Sequence, residues 1–212
     1  MRDLFEPPAG FSPSSHRLIL ASSSPRRKEL LGRFGYDFEV LAPDPAAECG
    51  ICSRETPPEI VARLAYQKAA DVIGQIECDD RIVVACDTVA ECLGSVLGKP
   101  EDREHARQML SRLRGREHRV YSGLCLWNRT TAQRSVLVDV SLLKMEPIGD
   151  DQLEAYLDTE QWAGKAGALG FQDGPPWIEL IAGSATNVVG LPMELLAQML
   201  TRFSCSSQDA HS

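Results

Sequence analysis

The sequence predicts an α/β fold with a mixed, twisted sheet and flanking helices. Three observations carry that reading. Short apolar runs such as Ile82-Val83-Val84-Ala85-Cys86 alternate with amphipathic segments of helical period, the pattern of strands handing over to helices. Two long extended runs, residues 120–127 and 134–145, are separated only by a polar turn, which makes an antiparallel pair and so a mixed sheet. No linker rich in Pro, Gly or Ser divides the chain, so residues 16–203 read as one domain, with a flexible arm over 1–15 and a disordered Ser-rich tail over 204–212.

In chain order, Arg17-Leu18-Ile19-Leu20-Ala21 reads as a buried strand. Ser22-Ser23-Ser24-Pro25 then starts a helix, with serine as cap and proline in the first turn, which ends near Gly35. Residues 38–41 form a second strand, and the proline-rich stretch 42–58 a loop. A long helix spans 58–75. Residues 81–86 are a central strand, followed by a hairpin over 89–97 that turns at Gly94-Ser95. Residues 102–113 are an amphipathic helix, 149–157 a short one, and 191–203 a closing one.

The chain has 212 residues, 43% hydrophobic and 25% charged, enough for a packed core without staples. Its net charge of −8 excludes a broad surface for a nucleic-acid polymer. An anionic ligand therefore needs locally concentrated cations. The seven cysteines are odd in number and several sit in apolar runs, the usage of a reducing, cytoplasmic setting. Cys49-Gly50-Ile51-Cys52 is a lone C-x-x-C, two ligands short of a zinc site. The N-terminus lacks a signal-peptide core, and no run approaches the roughly 20 apolar residues needed to cross a membrane.

Five places in the sequence could carry chemistry. Ser22-Ser23-Ser24-Pro25-Arg26-Arg27 puts hydroxyls, unpaired N–H groups and two guanidiniums where a strand meets a helix, a setting for phosphate; an ordinary cap followed by solvated arginines is the alternative. On the long helix, Ile60, Leu64, Lys68, Val72 and Ile76 fall within an arc of roughly 160° at about 100° per residue. Lys68 thus interrupts an apolar stripe, either snorkelling to its edge or facing a site with negative charge. Asp87-Thr88 follows the central apolar strand, at the carboxyl end where α/β sheets place ligands; Asp87 can hold a hard cation, orient water, or cap a loop. Lys99 adds a cation at a turn. Finally, the Gly-rich run 164–172 lets backbone approach a ligand closely, and Gln172 can both donate to and accept from a base edge. Neither a G-x-x-x-x-G-K-[ST] loop nor a G-x-G-x-x-G turn occurs.

In order, Ala21-Ser22-Ser23-Ser24-Pro25-Arg26-Arg27, Arg63-Leu64-Ala65 with Lys68-Ala69, Asp87-Thr88, Leu97-Gly98-Lys99-Pro100, Lys165-Ala166-Gly167-Ala168 with Gly170 and Gln172, and Asn187-Val188-Val189-Gly190-Leu191-Pro192 resemble the Maf family. The resemblance covers about residues 17–203. It implies two lobes around a central cleft, as in inosine triphosphatase-like folds, and often a homodimer. It also implies hydrolysis of nucleoside triphosphates to a monophosphate and pyrophosphate with Mg²⁺ or Mn²⁺. By that resemblance Asp87 is the catalytic aspartate. Ser22, Ser24, Arg26, Arg27, Lys68 and Lys99 are polyphosphate-side residues, and Arg26, Thr88 and Gln172 bear on substrate choice. The Lys165-to-Gln172 pattern is similar to the branch acting on dTTP and UTP. The 7-methyl-GTP branch is the nearest alternative, and a non-hydrolytic nucleotide-binding regulator of cell division or an orthophosphate-releasing phosphatase are the functional rivals.

Two departures from the family pattern stand out. The acidic pair expected after the second strand is Ala46 and Ala47, with Glu48 the adjacent candidate to join Asp87 as a metal ligand. The aspartate expected before Lys165 is Gly164, with Trp162 nearby.

Overall fold

Apolar side chains on both faces make Leu18–Ala21 a fully buried strand, β1. Alternation sends Leu18 and Leu20 into one core and Ile19 and Ala21 into another. The structure is a computed structural model describing residues 5–7, 10–47, 54–77, 80–173 and 175–206. Glu48 and the C-x-x-C at Cys49 and Cys52 lie outside the described residues.

Helix α1, Pro25–Arg33, starts on its proline and stops before Gly35, whose φ of 72° is in the left-handed region. It returns the chain to β2, Phe38–Val40, parallel to β1 with Leu18 opposite Phe38. A short 3₁₀ turn, Pro45–Ala47, lies in the proline-rich loop. Helix α2, Pro57–Gln75, begins with Thr56 and Glu59 closing on each other, the Thr56 N–H donating to Glu59 Oε2 at 2.8 Å. It lies over β3, Ile82–Cys92, and β5, Glu117–Asn128. Gly123 permits that approach: a Cβ there would stand 2.1 Å from the Val61 carbonyl oxygen.

The remaining strands are β4, Ser95–Leu97, β6, Arg134–Met145, and β7, Ile178–Ala182. The sheet order is β2-β1-β3-β5-β6-β7, with β4 paired to β3. β1 is parallel to β2 and β3, and the other pairs are antiparallel. The mixed α/β sheet with flanking helices is thus the predicted one. Helices α3, Arg103–Leu113, α4, Asp150–Asp158, α5, Ala185–Val189, and α6, Met193–Ser206, complete the fold.

Three elements differ from the sequence reading. The central strand does not stop at Cys86: β3 continues through Asp87 and Thr88 to Cys92, because β5 pairs with it without a break from Ile82↔Asn128 to Glu91↔Arg119. β7 and α5 were not expected. β7 is an edge strand with a register shift at Leu142/Leu143, and α5 has only five residues, so neither repeats a period long enough to show in sequence.

On one face of β3 and β5 the side chains form two cores separated by a polar band. Cys86, Leu124 and Leu126 belong to the first core, packed with Leu30 and Leu31 of α1 and Leu196 and Leu200 of α6. Ala90, Cys92 and Val120 belong to the second, with Leu110 and Leu113 of α3 and Leu153 and Leu157 of α4. Between them, Thr88 sits opposite Ser122. The cleft opens at this band.

Candidate active site

The cleft follows from where strands end. β1 pairs with β3 only as far as Ala85, and β4 resumes pairing at Ala90. Residues 86–89 therefore have a strand, β5, on one side only. Beyond Ala21 the chain turns through Ser22–Ser24 into α1, so this bare edge faces a helix start. The cavity there has a volume of about 330 Å³. Every site residue named from the sequence, Glu48 apart, lines it: Ser22, Ser24, Arg26, Arg27, Lys68, Asp87, Thr88, Lys99, Lys165 and Gln172.

Asp87 lies mid-strand, not at the carboxyl end of a strand as the sequence suggested. It nevertheless sits just past the end of the parallel neighbour, which gives the same opening. Lys68 Nζ donates to Asp87 Oδ1 at 2.6 Å, with the lysine side chain 6% exposed and the aspartate 14%. Of the alternatives for Lys68, snorkelling is the one the geometry excludes. Such a pair is costly to desolvate, and it stands where the cleft can offer Asp87 solvent or ligand.

The helix start is open to the cavity. Ser24, the N-cap residue of α1, makes no side-chain capping bond, contrary to the expected serine cap. Its N–H instead donates to Ser22 Oγ at 3.1 Å. The first-turn N–H groups, lacking a side-chain cap, are left toward the cleft with the positive end of the helix dipole.

The two arginines have different surroundings. Arg27 donates from Nε to the Gly190 carbonyl at 2.7 Å, from Nη1 to Ser22 Oγ at 3.2 Å and from Nη2 to Thr88 Oγ1 at 3.4 Å. Gly190 has a φ of 119° and its carbonyl also accepts from the Cys86 thiol at 3.2 Å, so a left-handed residue is required there. Arg27 thereby ties α1, β3 and the end of α5 together. Arg26 donates to the Gly164 carbonyl at 2.9 Å across the cleft. Burial, and then the neighbouring Arg27 charge, hold its guanidinium below its usual pKa; an anion between the two would reverse both penalties.

Thr88 is less accessible than its sequence role implied. Its hydroxyl is 2.8 Å from Ser122 Oγ and receives the weak Arg27 contact. Behind it, the fully buried Asn187 donates to the Val120 carbonyl at 3.1 Å and to Ser141 Oγ at 2.9 Å. The Gly-rich run forms two 3₁₀ turns, Ala166–Ala168 and Phe171–Asp173. Lys165 pairs with Asp173. Tyr156 Oη accepts from the Gly170 N–H at 2.8 Å and donates to the Ala168 carbonyl at 3.2 Å, while burial pushes its phenol up to about 12. Gln172 is exposed at the rim.

Sequence reasoning missed Tyr156, Ser122 and His118, and it placed Asn187 in a motif without giving it a role. His118 did carry a signal: in 118-120-122-124 it occupies the buried register of an alternating strand. The others declare themselves only through long-range register.

A metal would find little protein cage here. Among the described residues no three His, Cys, Asp or Glu side chains cluster. One cleft carboxylate, Asp87, fits Mg²⁺ as that ion is commonly held, by one or two carboxylates with substrate phosphates and water.

A mixed sheet whose central strand is bared to a cationic cleft around one carboxylate defines an α/β protein built to handle a polyanion such as a phosphate chain. The family description "Maf-like protein" matches residues 17–203, and the chain belongs to the Maf family. It is 53% identical over 199 residues to a dTTP/UTP pyrophosphatase of Rhodopirellula baltica, covering 93% of this chain and 87% of that protein. A dTTP/UTP pyrophosphatase of Pelotomaculum thermopropionicum is 38% identical over 189 residues, covering 88% of this chain and 96% of that one. One from Clostridioides difficile is 37% identical over 187 residues, covering 88% and 94%. No helix among the described residues is long and apolar enough to cross a membrane.

Proposed function

We propose that this chain is a nucleoside triphosphate pyrophosphatase that hydrolyses dTTP and UTP to the monophosphate and pyrophosphate. The observation that carries the reaction is the buried Lys68–Asp87 pair, set at the bare edge of β3 and facing the open start of α1. The dTTP/UTP relatives support the substrate.

The chain's residues act in three ways in this reading. Arg26, Lys68, Lys99 and the first-turn N–H groups of α1 hold the β and γ phosphates, which leave as pyrophosphate. Arg27 positions Ser22 and Thr88 rather than spending all its donors on substrate, since three of them are already engaged. Asp87 keeps Oδ1 on Lys68 and uses its other oxygen to orient and deprotonate the water that attacks the α phosphorus; the α–β anhydride bond breaks as the new P–O bond forms. A divalent ion, Mg²⁺ or Mn²⁺, held by Asp87 and the substrate, with Glu48 as a second ligand, would neutralise charge on the phosphate oxygens. Lys165 and Gln172 face the nucleoside.

Buried free thiols at Cys86, Cys92 and Cys125 suit a cytoplasmic enzyme. Val138 and Val140, exposed on the α2 side of β6, offer apolar surface for a homodimer. The deciding experiment is a panel of canonical and modified nucleotides with Mg²⁺ or Mn²⁺, read by pyrophosphate and orthophosphate release. Pyrophosphate from dTTP and UTP at the highest kcat/KM is expected. Preference for 7-methyl-GTP would move the chain to the other branch, orthophosphate release would make it a phosphatase, and tight binding without turnover a sensor.

A further inference from the structure

One polar group in the cleft has no part in the reaction above. His118 is 2% exposed and lines the cavity, yet neither ring nitrogen makes a hydrogen bond of ordinary length and angle among the described residues. The Arg116 carbonyl, which accepts from the Met145 N–H at 3.0 Å, lies beside the ring and attracts one ring N–H, leaving the other nitrogen as the unpaired acceptor. An imidazole buried with an unpaired nitrogen costs stability that an apolar side chain in its place would not. That cost is recovered if a ligand supplies the missing partner.

The surroundings indicate which part of a nucleotide this is. β5 carries His118 four residues before Ser122 on the same face, away from Asp87 and the start of α1. The cleft walls at this end are apolar: Ala90, Leu113, Val120 and Leu169. Burial holds the imidazole below its ordinary pKa, so at neutral pH it is uncharged, with one donor and one acceptor. A neutral ring among apolar walls suits a planar base better than a phosphate. dTTP and UTP differ at the 2′ and 5 positions but share an imide edge of carbonyl, N–H and carbonyl, so a pocket serving both must read that edge. Gln172, at the rim, is exposed; His118 is on the floor.

We propose that His118 is a specificity-determining residue, hydrogen-bonding the imide edge of the uracil or thymine base. The proposal rests on the dTTP/UTP reading, and its test separates the two. A UTP analogue with a non-hydrolysable α,β bridge and inorganic tripolyphosphate are titrated calorimetrically, with Mg²⁺, into the parent, His118→Leu and His118→Gln. His118→Leu is expected to bind the analogue about tenfold more weakly, to bind tripolyphosphate within about twofold of the parent, and to melt no lower. Gln, which keeps a donor and an acceptor, should recover part of the loss. An unchanged analogue affinity in His118→Leu, or an equal loss for both ligands, overturns the proposal. If the Leu variant does not fold, the Gln variant decides: a ratio of analogue to tripolyphosphate affinity equal to the parent's overturns it, and a ratio lowered about threefold upholds it. Absence of pyrophosphate release from dTTP and UTP by the parent would refute the activity instead, leaving the binding ratio to judge His118.

Discussion

The two ends of the cleft are held by different means. At the α1 end, charged groups are fixed by side-chain bonds between regular elements: Arg27 spans Gly190, Ser22 and Thr88, and Lys68 reaches Asp87 from α2 to β3. At the other end, two 3₁₀ turns hang on Tyr156 and on the Lys165–Asp173 pair, above apolar walls. Groups that must stabilise developing charge gain from being preorganised on rigid elements. A base pocket built from turns can change its preference by local substitution without disturbing the chemistry. The difference suggests that turnover and base choice are separable in this fold, and substitutions at each end can test that separation.

The largest effect belongs to Asp87→Asn. Asparagine still accepts from Lys68 Nζ, so the fold should persist, but it cannot take a proton or supply a ligand charge. A fall in kcat of about 10²–10⁴-fold is expected, the range for loss of a general base, equally for dTTP and UTP. A loss confined to one nucleotide would tie base choice to the chemical end and break the comparison.

Lys68→Met follows. From sequence alone this change should raise KM with little effect on stability. The buried pair alters that expectation, because removing one partner strands the other charge. Destabilisation of about 3 kcal/mol is expected, with a rise in KM for every triphosphate and for tripolyphosphate. Chemical denaturation of the single variants and of Lys68→Met with Asp87→Asn measures the coupling. Additive losses would mean that the two side chains do not depend on each other.

Much of this site is legible in the sequence, and unevenly so. The α1 end is written in contiguous motifs, Ser22 to Arg27 and Asp87-Thr88, and in the helical period that exposes Lys68 as out of place. Helix and strand order follow from the same periods. The exact position of Asp87 does not, since whether β3 stops or continues at Cys86 depends on β5, about 35 residues later, supplying a partner for each residue. The other end is poorly legible for a related reason. Tyr156 looks like any apolar-stripe residue of α4, and its role exists only because the turn at Gly170 folds back onto it. Ser122, Ser141 and Asn187 come together through strand register and the five-residue α5, and only Asn187 belongs to a contiguous motif.

The smallest effect expected is that of Tyr156→Phe, which sharpens the comparison most. The ring stays against Trp177, now 5.2 Å away centroid to centroid in an edge-on contact, so packing is kept. Only the hydroxyl goes, and with it the bonds to Gly170 and Ala168. Losing them should cost about 1–2 kcal/mol, or roughly 2–8 °C in Tm for a chain of this size. The turn carrying Gln172 would then be less firmly placed, since the Gly170 N–H and the Ala168 carbonyl lose the hydroxyl that ties them to α4. KM for dTTP and UTP should rise about threefold, consistent with part of one hydrogen bond, while kcat and tripolyphosphate affinity stay at parental values. Steady-state kinetics on both nucleotides, with a melting curve, checks each part. A fall in kcat with KM unchanged would show that the turns serve the reacting end as well, and the two ends of the cleft would have to be treated as one unit.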